Sequence, residues 1–169
     1  MLLLKDFYFI RHGETEPHLD DNNISLNRCG IAQIQQAAPL LKGLGLAGIY
    51  SSPLPRALET SKILNPDNNI TINQVGGLSE CTCHVWNHLT SQDELTDPDT
   101  KGFVSRVLSA FEDILKQPGP VLIVAHGGVH YALCQMLELK NHPWKIGNGQ
   151  LIHFTPGKNE WKARILGLD

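Results

Sequence analysis

Phe7-Tyr8-Phe9-Ile10-Arg11-His12-Gly13 and Val121-Leu122-Ile123-Val124-Ala125-His126-Gly127-Gly128 are two versions of one local design. Each opens with a short apolar run rich in β-branched or aromatic residues, the composition of a strand buried on both faces. Each run delivers a histidine to the strand's carboxyl end, where open α/β sheets bind their ligands. Glycine directly after the histidine lets the backbone turn sharply and lets a ligand come close. Two such strands, the first with an arginine attached, point to a pocket built around a pair of imidazoles and an anion.

Outward from these strands the chain alternates. A polar loop from Glu14 to Ser25 precedes a helix expected from about Arg28 to Lys42, with Asn27 as N-cap and Ile31, Ile34, Ala38 and Leu41 on its inner face. Pro39 kinks that helix or ends it early. Leu46 to Tyr50 reads as a short strand, followed by a helix with Ser52 as cap and Pro53 at its first position. Leu54, Ala57, Leu58, Ser61 and Leu64 mark the inner face of that helix. Ile70 to Val75 alternates as a strand and ends at Gly76-Gly77, while Cys81 to Lys101 reads as a polar loop or lid. Asp97-Pro98 opens a long amphipathic helix ending before Gly119, and the 121–125 strand feeds a helix at about 128–138. Gln150 to Thr155 and Trp161 to Ile165 form a closing hairpin around Gly157-Lys158-Asn159. Trp144, Leu151 and Trp161 are expected in the core. The expectation is one domain over residues 1–169, a three-layer α/β/α fold with a mostly parallel central sheet.

Composition limits the partners. With 169 residues, 41% hydrophobic and 18% charged, the chain is long enough for a real core and too apolar for disorder. A formal net charge of −3 argues against nucleic-acid or membrane-surface binding, which calls for a basic balance. No apolar stretch approaches the roughly 20 residues of a spanning helix. The four scattered cysteines suit free thiols in a reducing compartment, so a cytoplasmic location is expected.

The chemistry gathers at the strand ends. Arg56 falls in the first turn of its helix and, two residues from Leu54, off the buried stripe. A helix N-terminus already favours anions. Two guanidinium groups and two imidazoles around one point would hold a tetrahedral dianion. Glu80, following the Gly76-Gly77-Leu78-Ser79 turn, brings a carboxylate to the same edge.

At these residues the chain resembles the histidine phosphatase superfamily, the phosphoglycerate-mutase-like enzymes. Arg11-His12-Gly13-Glu14-Thr15 matches its signature. Ser51 to Thr60 looks like its second motif, with Arg56 as the phosphate-binding arginine. Leu78-Ser79-Glu80 resembles its acid motif, and Ala125-His126-Gly127-Gly128 its second catalytic histidine. The resemblance implies that His12 attacks phosphorus to give a phosphohistidine, that Arg11, Arg56 and His126 hold the phosphoryl oxygens, and that Glu80 is the general acid and base. Gly127 and the Thr15 hydroxyl would line the phosphate site. No cofactor and no metal is expected, because the arginines neutralise charge. The implied activity is hydrolysis of a phosphomonoester of a small metabolite.

Departures from the pattern sharpen the reading. Many members carry an asparagine six residues after the nucleophile; here His18 stands there, and either His18 or one of Asn22 and Asn23 fills the role. Glu80 and His126 are only 46 positions apart (126 − 80), a short interval beside the lid region of glycolytic mutases. A small lid leaves a phosphoenzyme open to water, which favours a phosphatase over a phosphoglycerate mutase-type phosphotransferase. A phosphohistidine protein phosphatase is the competing activity, although an imidazole leaves without the acid that Glu80 supplies. Outside catalysis, Cys81, Cys83, His84 and His88 form a cluster able to ligate zinc if helical. A catalytically idle binding module on the same fold is the remaining alternative.

Overall fold

A computed structural model of the chain describes residues 4–17, 23–91 and 96–167. Six strands form one sheet in the order β3-β2-β4-β1-β5-β6. These are β1 (Phe7–Arg11), β2 (Gly48–Ser51), β3 (Ile72–Gln74), β4 (Val121–Ala125), β5 (Leu151–Pro156) and β6 (Trp161–Ile165). β1, β2, β3 and β4 run parallel; β5 is antiparallel to β1, and β6 to β5. β4 is inserted between β2 and β1, which sets the two histidine-bearing strands side by side.

Helices cover both faces. Five are present among the described residues: α1 (Arg28–Ala37), α2 (Pro55–Leu64), α3 (Cys83–Thr90), α4 (Pro98–Leu115) and α5 (Gly127–Met136). On one face Tyr8, Ile10, Leu122 and Val124 pack with Ile34, Ala57 and Leu64 from α1 and α2. On the other, Phe7, Phe9, Ile123 and Ala125 pack with α3, α4 and α5, including Phe111, Leu133 and Leu89. Successive residues of β1 and β4 therefore feed opposite cores, which is why both runs read as continuously apolar. Burying each large side chain is worth roughly 1.5–3 kcal/mol.

Several boundaries move from the sequence expectation. α1 ends at Ala37 and a single 3₁₀ turn, Ala38–Leu41, carries Pro39 at its start. Ile31 is exposed at 38%, and Gly30 takes the inward place instead. Helix α2 starts at Pro55 with Leu54 as N-cap, not at Ser52-Pro53. Its buried stripe is consequently Arg56, Ala57, Thr60, Ser61 and Leu64, with Leu54 and Leu58 only half-buried. The expected loop after Cys81 contains helix α3, whose Thr82 side chain accepts from Val85 N. Val85 and Leu89, four apart, bury its inner face. Asp97 caps α4 as expected, accepting from Thr100 N at 2.8 Å. Leu151 is buried at 1%, whereas Trp144 and Trp161 pack half-buried against the larger core. No described helix is long and apolar enough to cross a membrane.

Candidate active site

Strand register brings the histidines together. Arg11 pairs with Ala125 across the parallel β1–β4 ladder, and the next residue, His12, donates its N–H to Ala125 O at 3.0 Å. Ser52 extends β2 in the same way, donating to Val124 O at 2.9 Å. Three consecutive neighbours in the sheet thus end in His12, His126 and Ser52. The rings of His12 and His126 lie 5.1 Å apart at 60°.

Both rings have fixed orientations. His12 Nδ1 lies 2.7 Å from Gly13 O, a carbonyl that can only accept, so Nδ1 carries the proton and Nε2 presents a lone pair. Arg56 Nε–H donates to that Nε2 at 3.3 Å. His12 is 6% exposed and Arg56 4%. Burial, then the neighbouring Arg56 and Arg11 charges, push the His12 pKa down to about 3 against the Gly13 bond. The imidazole is neutral across the physiological range, the form a nucleophile requires. His126 is fully buried, and burial holds its pKa well below the usual histidine value, with His12 and the arginines adding to the effect. Its Nε2 meets Ser52 Oγ at 2.7 Å, while Nδ1 is buried without a hydrogen-bond partner. A buried unpaired ring nitrogen is costly unless a ligand completes it.

Arg11 is aimed by the loop before β5. Its Nη1 donates to Ile146 O at 2.6 Å, and its own carbonyl accepts from Gly149 N at 3.0 Å. Its Nε–H is buried and lacks a partner. Burial lowers the Arg11 pKa, Arg56 adds to that, and Glu80 opposes it. Glu80 sits at the amino end of α5, accepting from Gly128 N at 3.1 Å and from Cys81 N at 3.0 Å. Burial and the adjacent Glu80 charge push the Cys81 thiol up to about 12, so it is no thiolate. The turn ahead of Glu80 is clamped by Arg106, which donates to the carbonyls of Gly76, Gly77 and Ser79 at 2.9–3.1 Å. A cavity of about 280 Å³ is lined by Arg11, Glu80, Trp86, Gly127, Lys145 and Ile146. Larger hollows of about 620 and 550 Å³ lie beside Trp161 and Pro39; neither is lined by the histidines or arginines, so size does not locate the chemistry.

Glycine is required where backbone meets backbone. A Cβ on Gly13 would stand 2.5 Å from Gly30 O, and one on Gly30 would stand 2.1 Å from Glu14 O. The loop after β1 therefore seats directly on α1. Gly13 N donates to Thr60 Oγ1 at 3.2 Å, which in turn donates to Arg56 O at 2.8 Å, tying the loop to α2.

Of the residues singled out in the sequence, Arg11, His12, Arg56, Glu80, His126 and Gly127 converge on this end of the sheet. Thr15 contributes an isolated antiparallel bridge to Leu26. His18 and Asn22 lie outside the described residues, and Asn23 is exposed. Arg56 is buried, not off the buried stripe, because its side chain runs in to His12 at the end of the sheet. Ser52, expected as a helix cap, instead meets His126, and Thr60, expected only as the end of the second motif, holds Gly13 N; Ile146 and Asn148 carry no sequence signal. Asn148 Nδ2 donates to His12 O at 3.0 Å across 136 positions, a separation that no local pattern encodes. The Cys81-Cys83-His84-His88 cluster does not gather; His84 and His88 instead meet Asp97 at the surface.

Comparison with known proteins bears on the family and the fold. The family model described as histidine phosphatase superfamily (branch 1) matches residues 7–101. Agropine synthesis reductase from Rhizobium rhizogenes is 28% identical over 96% of the chain, but the chain spans 42% of its length. The uncharacterized phosphatase PhoE from Bacillus subtilis is 24% identical over 95% of the chain and 93% of its own. Among solved structures, Bacillus stearothermophilus YhfR superposes with a TM-score of 0.79 at 22% identity, covering 96% of each chain.

Proposed function

The chain belongs to the histidine phosphatase superfamily, and from that premise we propose that it hydrolyses a phosphomonoester of a small metabolite through a phosphohistidine on His12. The observation that carries the reading is the His12 ring: neutral, locked by Gly13, with its Nε2 lone pair facing Arg56. As Arg56 turns its N–H groups from His12 to the phosphoryl oxygens, the freed Nε2 lone pair attacks phosphorus in line and the ester P–O bond breaks. Arg11 and Arg56 spread the equatorial charge, and the unpaired Arg11 Nε–H and His126 Nδ1 complete their hydrogen bonding on phosphoryl oxygens. Ser52 Oγ–H donating to His126 Nε2 puts the ring proton on Nδ1, where that contact needs it. Each such donor is worth on the order of 10²–10³ in rate.

Glu80 gives a proton to the departing alkoxide, then takes one from the water that cleaves the phosphohistidine. General acid–base help of this kind is worth roughly 10²–10⁴. The N–H groups of Gly128 and Cys81 hold its carboxylate at the cavity wall. The cavity of about 280 Å³ supports a small leaving group, with Trp86 and Lys145 beside it. The charge of the two arginines makes a metal unnecessary for these steps.

Rapid-quench labelling with a radiolabelled phosphomonoester tests the proposal. An acid-labile, base-stable phosphoryl group on the wild type and none on His12→Ala is the expected result. Full turnover by His12→Ala would overturn it. A screen of phosphorylated metabolites alongside phosphohistidine peptides then identifies the substrate class.

A further inference from the structure

Behind the catalytic end of the sheet lies a second histidine cluster that the phosphoryl chemistry does not use. His130 and Cys134 are one turn apart on α5, and His142 approaches from the loop that follows it. His130 and Cys134 are fully buried and His142 is 9% exposed. The Nε2 atoms of the two histidines face each other at 3.1 Å, and Cys134 Sγ lies 3.5 Å from His130 Nε2. All three candidate ligand atoms fall within 4.8 Å of one another. We propose that His130, Cys134 and His142 form a structural site for a tetrahedral divalent cation of zinc type, which fastens the loop between α5 and β5.

The geometry carries this. Zinc binds imidazole nitrogen at roughly 2.0–2.1 Å and thiolate at about 2.3 Å. Tetrahedral angles then place two nitrogens about 3.3 Å apart, close to the 3.1 Å between the two Nε2 atoms; Cys134 Sγ, 3.6 Å from His130 Nδ1 and 3.5 Å from Nε2, stands over the ring and turns about its Cα–Cβ bond to reach the ion. His130 Nδ1–H donates to Trp144 O at 3.0 Å, which leaves Nε2 as the ligating atom. That is the outer-shell arrangement that orients metal-binding histidines. Phe9 and Phe154 flank the imidazoles, an apolar shell around the site. His142 also lines a cavity of about 220 Å³, and a water would complete the four-coordinate shell. Without an ion, His142 Nε2–H donates to His130 Nε2. On binding, that proton moves to His142 Nδ1 through solvent and the Cys134 thiol releases its proton, so one proton leaves per cation bound.

The placement links the site to the catalytic end. The fastened loop also carries Ile146, Asn148 and Gly149, which hold Arg11 and His12. The cation thus has a positioning role and touches no substrate.

Cobalt(II) added to the reduced, metal-stripped protein tests the assignment, with zinc binding counted by elemental analysis after dialysis. One zinc per chain is expected, together with tetrahedral visible bands and a thiolate-to-cobalt charge-transfer band in the wild-type cobalt protein. Cys134→Ser should lose the charge-transfer band, and His84→Ala, at the exposed His84-His88-Asp97 cluster, should keep it. Zinc should also raise the thermal midpoint of the wild type but not of folded Cys134→Ser. Failure to retain any ion, an octahedral spectrum without thiolate charge transfer, or binding abolished by His84→Ala alone would each overturn the proposal. The wild-type spectrum decides even if a variant fails to fold.

Discussion

Replacing Gly128 by alanine separates the acid from the rest of the site. A Cβ there would stand 2.4 Å from Glu80 Oε1 and 2.5 Å from Cys81 Sγ. Both are mobile side-chain ends rather than backbone, so the carboxylate swings away and the fold yields little. The expected variant is therefore folded, with Glu80 off its N–H donors and away from the leaving oxygen. Acid help of roughly 10²–10⁴ is lost where the leaving group needs a proton and much less where it does not. The assay is kcat/KM across phosphate esters running from alkyl alcohols to acidic phenols. Gly128→Ala should fall by about 10²-fold or more on alkyl esters and within about tenfold on activated aryl esters, paralleling Glu80→Gln. A uniform loss across the series, or none, would refute the placement of Glu80 as acid.

Further outcomes follow from the same geometry. His12→Ala should lower kcat by roughly 10⁴–10⁶, the scale of removing a covalent nucleophile, read from steady-state rates with phosphoenzyme trapping. Ser52→Ala leaves His126 Nε2 buried and unpaired; it should lower stability by about 1–3 kcal/mol in urea unfolding and reduce kcat with little change in KM. Gly30→Ala forces a Cβ onto the Glu14 carbonyl and should destabilise by roughly 2–4 kcal/mol, measured by thermal melting. His12 and His130 both have pKa values pushed down to about 3 in the fold. The unfolded chain protonates them near 6.5, so their stability contribution is complete above that pH and is lost as pH falls towards 3. Each costs about 1.4 kcal/mol per pH unit in that window; urea midpoints unchanged between pH 7 and 5 would contradict the burial of these rings.

The catalytic end was legible in the sequence where local chemistry determines position. Residues 7–10 and 121–125 are apolar on both faces, so each is a central strand and its histidine must emerge at the sheet's carboxyl edge. Arg56 was expected near the phosphate site and lies against His12, although it is buried where the apolar stripe left it out. Two prolines, Pro53 and Pro55, compete for the first helical position, and the helix starts at the second. Helix α3 was hidden by its polar composition, although Val85 and Leu89 carry the four-residue spacing of a buried face. Ser52, Ile146 and Asn148 reach the site only through tertiary pairing. The His130-Cys134-His142 cluster joins a helix to a loop whose path is set by that same packing.

The insertion of β4 between β1 and β2 has a consequence for biosynthesis. A chain emerging from the ribosome presents its first histidine and both guanidinium groups well before residues 121–126 exist. Until then β1 and β2 have no shared neighbour, and the sheet has a gap at its centre. Closing it pairs β4 with β2 and with β1, the latter more than a hundred positions away, a slow, entropically demanding step. Truncation upstream of Val121 should therefore yield an aggregation-prone fragment instead of a weakened enzyme.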